Sequence, residues 1–184
     1  MKLRGGGFGV ILGALLLAPT WASAEPQAPS PPQNAALTAE KKVAVMYTWE
    51  MNHGDSEFAP FGAAVDFSKK LKDYAADKSL YVVGQYVFGY FRNGNGAVSK
   101  FSGGVRYALS RRGSIVPYVQ GLAGLWHGSG ENYLQTSIGG GFDIVTSALK
   151  DKVLRIDATW VVFFDDPENG LRLNVGIVWP LGKR

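Results

Sequence analysis

Two short stretches carry side chains that could do chemistry. The first is Trp126-His127-Gly128-Ser129-Gly130-Glu131. An imidazole can take the proton of a nearby hydroxyl, and a carboxylate can orient that imidazole. His127, Ser129 and Glu131 are therefore the candidates for a hydrolytic site. A triad is recognised by geometry and not by spacing, so a solvated loop is the competing reading, and no catalytic residue is assigned on spacing alone. The second stretch is Glu50-Met51-Asn52-His53-Gly54-Asp55-Ser56-Glu57. Carboxylates with an imidazole could hold a divalent cation, or meet lipopolysaccharide through bridging cations. Loops also carry such residues with no ligand geometry, and a polar loop is the default. Gly139-Gly140-Gly141 opens no helix and is followed by no lysine, so it is not a phosphate loop. With no cysteine in the chain, disulfides and thiolate metal sites are excluded. No cofactor and no metal are expected.

The composition narrows the class. Among 184 residues, 18% are charged, 12% are aromatic and 24 are glycine, which argues against a disordered chain or a coiled coil. The net charge of +4 comes without a dense basic patch, so no nucleic-acid partner is expected. Lys2 and Arg4 precede an apolar run of 11 residues at 8–18, then Pro19 and Ala22-Ser23-Ala24. A bilayer-crossing helix needs about 20 apolar residues. The segment 1–24 therefore reads as an export signal cleaved after Ala24, with an uncleaved anchor as the alternative. No cysteine stands at the cleavage point, so a lipoprotein is not expected. Residues 25–41, with four prolines in 26–32, read as an extended, flexible tether.

From residue 42 onward the dominant pattern has period two. Leu154, Ile156, Ala158, Trp160, Val162 and Phe164 share one parity, while Arg155, Asp157 and Thr159 begin the other. Leu171–Leu181 alternates likewise, with Arg172, Asn174 and Gly176 on the polar side. Eight such segments stand near 42–51, 57–67, 79–91, 97–110, 114–127, 132–145, 152–164 and 170–181, separated by glycine- and asparagine-rich turns. One helical piece is expected at Ser68–Asp77. Long alternating strands with short connections must pair antiparallel with their neighbours. The expected fold is all-β, an eight-stranded antiparallel up-and-down transmembrane β-barrel over 42–184.

Such a barrel could turn its apolar face inward around a small ligand, as a soluble periplasmic barrel does, or outward to lipid. The apolar parity carries Trp49, Phe61, Phe67, Phe101, Tyr107, Phe142, Trp160, Phe164 and Trp179, many near strand ends. Aromatic residues at both ends of a strand suit two membrane–water interfaces, which favours the lipid-facing arrangement. The polar parity then lines the lumen. Its charges are Glu50, Asp66, Asp143 and Asp157 against Arg106, Arg155 and Arg172. Eight strands enclose a space that side chains can fill, so these groups are expected to pair and plug it. Gly104, Gly124, Gly139, Gly141 and Gly176 are read as positions of curvature and close packing.

Three stretches resemble the small outer-membrane β-barrel family, the OmpA/OmpX-like and opacity-type proteins. They are Pro117-Tyr-Val-Gln-Gly-Leu-Ala-Gly124, Ser137-Ile-Gly-Gly-Gly-Phe-Asp143, and Leu154–Trp160 with Leu171–Val178. The resemblance implies a monomeric protein of a Gram-negative-type outer membrane, with lipid and lipopolysaccharide around it. It also implies a final strand read by the barrel-assembly machinery, here through Asn174, Gly176, Trp179 and Leu181. The family often ends on phenylalanine, whereas this chain continues through Gly182-Lys183-Arg184. With periplasmic termini, Lys69, Lys70, Lys72, Arg111, Arg112, Lys150 and Lys152 fall on the periplasmic side. One related family, a lipid A deacylase, uses a His-x-Ser pair. There the motif continues with asparagine and lies in a later strand, whereas here Gly130 follows Ser129. The expected role is structural or interactional, with no open pore. A lipid A-modifying hydrolase using His127 and Ser129, or a soluble small-ligand barrel, is the alternative.

Overall fold

A computed structural model describes residues 34–52, 59–75, 77–90, 96–128, 130–164 and 169–182. The proposed export signal, His53 and Ser129 lie outside these residues. Eight strands follow a short helix, α1 (Ala35–Thr38). They are β1 (Lys41–Asn52), β2 (Ala59–Ala75), β3 (Lys78–Tyr90), β4 (Ala97–Ala108), β5 (Ile115–Gly128), β6 (Glu131–Val145), β7 (Val153–Phe163) and β8 (Asn169–Leu181). Each pairs antiparallel with its sequence neighbours, and β1 pairs with β8, so the sheet closes into an up-and-down barrel.

The register sets the barrel's dimensions. A path through directly paired residues runs Lys42, Ser68, Val83, Gly104, Leu122, Ser137, Val161 and Gly170. It returns to β1 at Asn52, ten residues along from Lys42. With about 4.8 Å between strands and about 3.3 Å rise per residue, that stagger tilts the strands by about 40° and gives a radius of about 8 Å. A tube this narrow must be filled by its own side chains.

Alternation decides what fills it. Outward positions carry Phe101, Ile138, Leu125, Leu134, Phe142, Trp160 and Val175, with Ile138 70% exposed. Inward positions carry Asp66, Arg106, Arg155, Asp157, Arg172 and Asn174, each no more than 2% exposed. The aromatic face looks out, so the inward-facing arrangement of a soluble ligand barrel is not the one adopted. Several inward glycines let neighbouring backbones close up. A Cβ on Gly124 would stand 1.8 Å from the Phe101 carbonyl oxygen, and one on Gly176 would stand 2.1 Å from that of Val45.

Two local expectations need correction. The helix expected at Ser68–Asp77 is instead the continuation of β2 to Ala75, paired with β3 and carrying irregularities between Lys70 and Lys72 and between Asp73 and Ala75. Its backbone bonds are taken by β3 and by Glu40, whose carbonyl accepts from Lys70 N–H at 2.7 Å. Pairing outside the segment outweighs the weak helical propensity of ten residues. The tether expected over 25–41 also does not extend to its C-terminal end. Asn34 caps α1, Ala36 is fully buried, and the Ala36 N–H donates to the Asp151 carbonyl at 3.1 Å.

Candidate functional site: the barrel lumen

Glu50, Asp66, Arg106, Asp143, Arg155, Asp157 and Arg172 are buried inside the tube, and the geometry groups them. Towards the end where β1 and β7 begin, Arg155 reaches Asp143 through Nε (2.7 Å) and Nη2 (2.8 Å). Its Nη1 reaches Asp66 at 3.5 Å. Arg106 holds the same Asp66 through Nη1 (3.3 Å) and Nη2 (2.5 Å), and donates to Gln120 through Nε and Nη2. Tyr118 stands between the two guanidinium groups, with Arg106 4.7 Å and Arg155 5.1 Å from its ring centre. The Tyr118 hydroxyl donates to Asp157 at 2.9 Å, and Asn174 Nδ2 donates to Asp157 at 2.6 Å.

A second group lies towards the end formed by the β1–β2, β3–β4, β5–β6 and β7–β8 connections. Lys100 contacts both oxygens of Glu50 at 2.5 Å. Arg172 Nε donates to Glu50 Oε2 at 3.0 Å, and its Nη1 donates to Gln85 at 3.1 Å. A cavity of about 30 Å³ is lined by Thr48, Glu50, Gly62, Val87, Gly89, Val98 and Lys100. That is room for about two waters. Nearer the same end, Trp126, Tyr133 and Phe163 pack ring to ring, with centroids 5.2 to 6.4 Å apart.

The inward charge set is larger than parity reasoning assembles. Lys42 (4% exposed) and Lys100 (5%) are also inside, giving five cations against the four carboxylates among the described residues. Both share the parity of residues already placed inward, Lys42 with Glu50 and Lys100 with Arg106. That signal is in the sequence, but a lone lysine in a strand reads as solvated. The aromatic trio escapes parity reasoning for a similar reason, since aromatic rings read as members of the outer face.

Of the hydrolytic candidates, Ser129 lies outside the described residues, and His127 and Glu131 each meet another side chain. His127 is exposed on the outer face, and its Nδ1 lies 2.8 Å from Asn132 Oδ1 on β6. Glu131 accepts from the Tyr133 hydroxyl instead of orienting His127. In the last strand Asn174 faces the lumen, Gly176 packs against β1, and Leu181 faces out. Trp179 is half-buried, with the Lys152 ammonium 5.8 Å from its ring centre.

An apolar exterior wrapped round a charged, closed eight-strand interior can be set against solved structures. Neisserial surface protein A superimposes with a TM-score of 0.62 at 10% identity, covering 78% of this chain and 98% of the other. Ail, the attachment invasion locus protein of Yersinia pestis, gives 0.50 at 13% identity, covering 77% and 99%. The chain has the fold of the small eight-stranded outer-membrane barrels. The outer membrane enzyme PagL gives 0.49 at 12% identity, covering 75% and 99%. No family model matches the chain, and no curated protein matches it by sequence. On this small outer-membrane barrel fold the chain carries α1, seated at the mouth where β1 begins and held by the β6–β7 connection.

Proposed function

We propose that the protein is an integral outer-membrane barrel, exported through residues 1–24, with a closed lumen and a structural or interactional role. One observation carries the reading. The large exposed apolar side chains form the outside of the tube, while its ion pairs lie inside. Wetting the first in water is unfavourable, and so is exposing the second to lipid, so the arrangement suits a bilayer. The salt-bridged groups, the aromatic trio and α1 occupy successive levels of a tube of about 8 Å radius, which supports a closed lumen. In this reading α1 and the lysine-rich connections face the periplasm. Asn174, Gly176, Trp179 and Leu181 present the assembly signal, and lipid and lipopolysaccharide surround a monomer.

The test is gel mobility of the mature chain folded in detergent, boiled and unboiled. A heat-dependent shift together with co-fractionation with outer membranes is expected. A single band from a chain that folds without detergent overturns the reading.

A further inference from the structure

Lys42 is the odd charge of the lumen. It is 4% exposed, and among the described residues its ammonium makes no ion pair. The nearest inward carboxylates by register, Asp66 and Asp143, are committed to Arg106 and Arg155. The Lys42 ammonium instead donates to the backbone carbonyl of Leu37 at 3.1 Å and lies 4.4 Å from the centre of the Tyr81 ring. The Tyr81 hydroxyl points to the same carbonyl at 3.4 Å. Ser68, the register partner of Lys42 on the inward face, is 5% exposed, and among the described residues its hydroxyl has no partner. Lys42 and Tyr81 thus share one backbone carbonyl, Tyr81 also meets the Ser79 side chain, and the buried Ser68 hydroxyl at the same level has no acceptor among the described residues. Asp143 attracts the Lys42 ammonium only from beyond ion-pair distance; a buried cation with no anion in contact is costly, and a neutral carbonyl answers it poorly.

The neighbouring surface is apolar. Ala36 and Leu37 pack on a cluster of inward small side chains that includes Ala44, Met46, Ala64, Val153 and Val178. The segment that fills this slot is slight. A four-residue helix has no stability of its own. It is held by Asn34 Nδ2 to the carbonyls of Lys150 (2.8 Å) and Lys152 (3.2 Å) and by the Ala36 N–H to Asp151.

We propose that this mouth is a binding site for a fatty carboxylate, and that Asn34–Thr38 occupies it in cis. The Leu37 carbonyl stands where one carboxylate oxygen would accept from Lys42 and Tyr81, and the second oxygen would offer the Ser68 hydroxyl an acceptor. The Ala36 and Leu37 side chains stand where the acyl chain would lie. One bound negative charge would balance the five inward cations against the four carboxylates. The site lies in the lumen, so the inference does not depend on which membrane holds the barrel.

The test uses the full mature chain in phospholipid nanodiscs with a long-chain fatty acid bearing a mid-chain diazirine, and maps the photoproducts by mass spectrometry. Ala36→Gln, too large and too polar for a fully buried methyl position and bringing no charge, unseats the segment while keeping the chain length. A second variant, lacking Asn34–Thr38, empties the slot by deletion, and heat-dependent mobility checks that each variant is folded. Labelling at the inward residues Met46 and Val178 is expected to rise about tenfold over the unaltered chain when the segment is unseated, which corresponds to about 1.4 kcal/mol. Adding Lys42→Met is expected to abolish it, and the alcohol of the same chain length is expected not to label these positions. Labelling confined to outward residues such as Ile138 and Trp160, or lumen labelling unchanged by Lys42→Met, overturns the proposal. Equal labelling by the alcohol overturns the carboxylate assignment.

Discussion

Asp143 and Arg155 are register partners on β6 and β7, and their side chains meet inside the barrel in two parallel hydrogen bonds. Such forked pairs are the strong form of the carboxylate–guanidinium interaction. Their worth here is mainly the cost of breaking them, because both groups are buried.

Asp143→Ala is expected to destabilise the barrel by about 3–5 kcal/mol, since it strands most of a buried guanidinium. The double variant Asp143→Ala with Arg155→Met is expected to recover much of that loss, because removing both partners leaves no uncompensated charge. Urea unfolding of the detergent-folded barrel measures both. A double variant less stable than the single one would show that Arg155 is held chiefly by its second carboxylate, Asp66.

Tyr118 separates two contributions of one side chain. Tyr118→Phe deletes the bond to Asp157 and keeps the ring between Arg106 and Arg155, with an expected cost of about 1.5–3 kcal/mol. Tyr118→Leu also removes both ring–cation contacts, and each adds about 0.5–2 kcal/mol. The two unfolding midpoints should therefore stand in that order.

Gly124 and Gly121 lie three apart on β5 and differ sharply. A methyl group on Gly124 collides with the backbone of β4, while one on Gly121 meets nothing within 4 Å. Gly124→Ala is expected to abolish the heat-dependent band, and Gly121→Ala to leave it intact.

Ile138 is a lipid-facing position in the middle of β6, 70% exposed. Ile138→Arg is expected to cost about 2–4 kcal/mol when folding is measured into a phospholipid bilayer. An unchanged folding free energy would count against a lipid-facing exterior.

His127→Ala and Ser129→Ala are expected to leave lipid A acylation unchanged when the chain is expressed in a Gram-negative host. His127 faces out beside Asn132, and Glu131 is engaged by Tyr133. Loss of a deacylated lipid A species in either variant would reopen the hydrolase reading.

Period-two alternation determined much of this protein before any tertiary contact formed. Arg155, Asp157, Arg172 and Asn174 were legible as one face, and Ile156, Trp160 and Val175 as the other, because a strand sends successive side chains to opposite sides. The glycine-rich turns made the strands antiparallel neighbours, and their length and even number implied closure. Alternation is a property of one strand, however, and says nothing about which inward group meets which. Lys100 meets Glu50 from 50 residues away. That meeting depends on the ten-residue stagger of the closed sheet, a property of all eight pairings at once. The strand conformation of Ser68–Ala75 and the seat of Ala36 were illegible for the same reason. Neither segment has a local preference strong enough to decide its structure, so hydrogen bonds from β3 and from Asp151 decided it. The sequence by itself determined the two faces of each strand, and the tertiary structure decided the contacts between inward groups, because only closure brings distant inward positions to the same height.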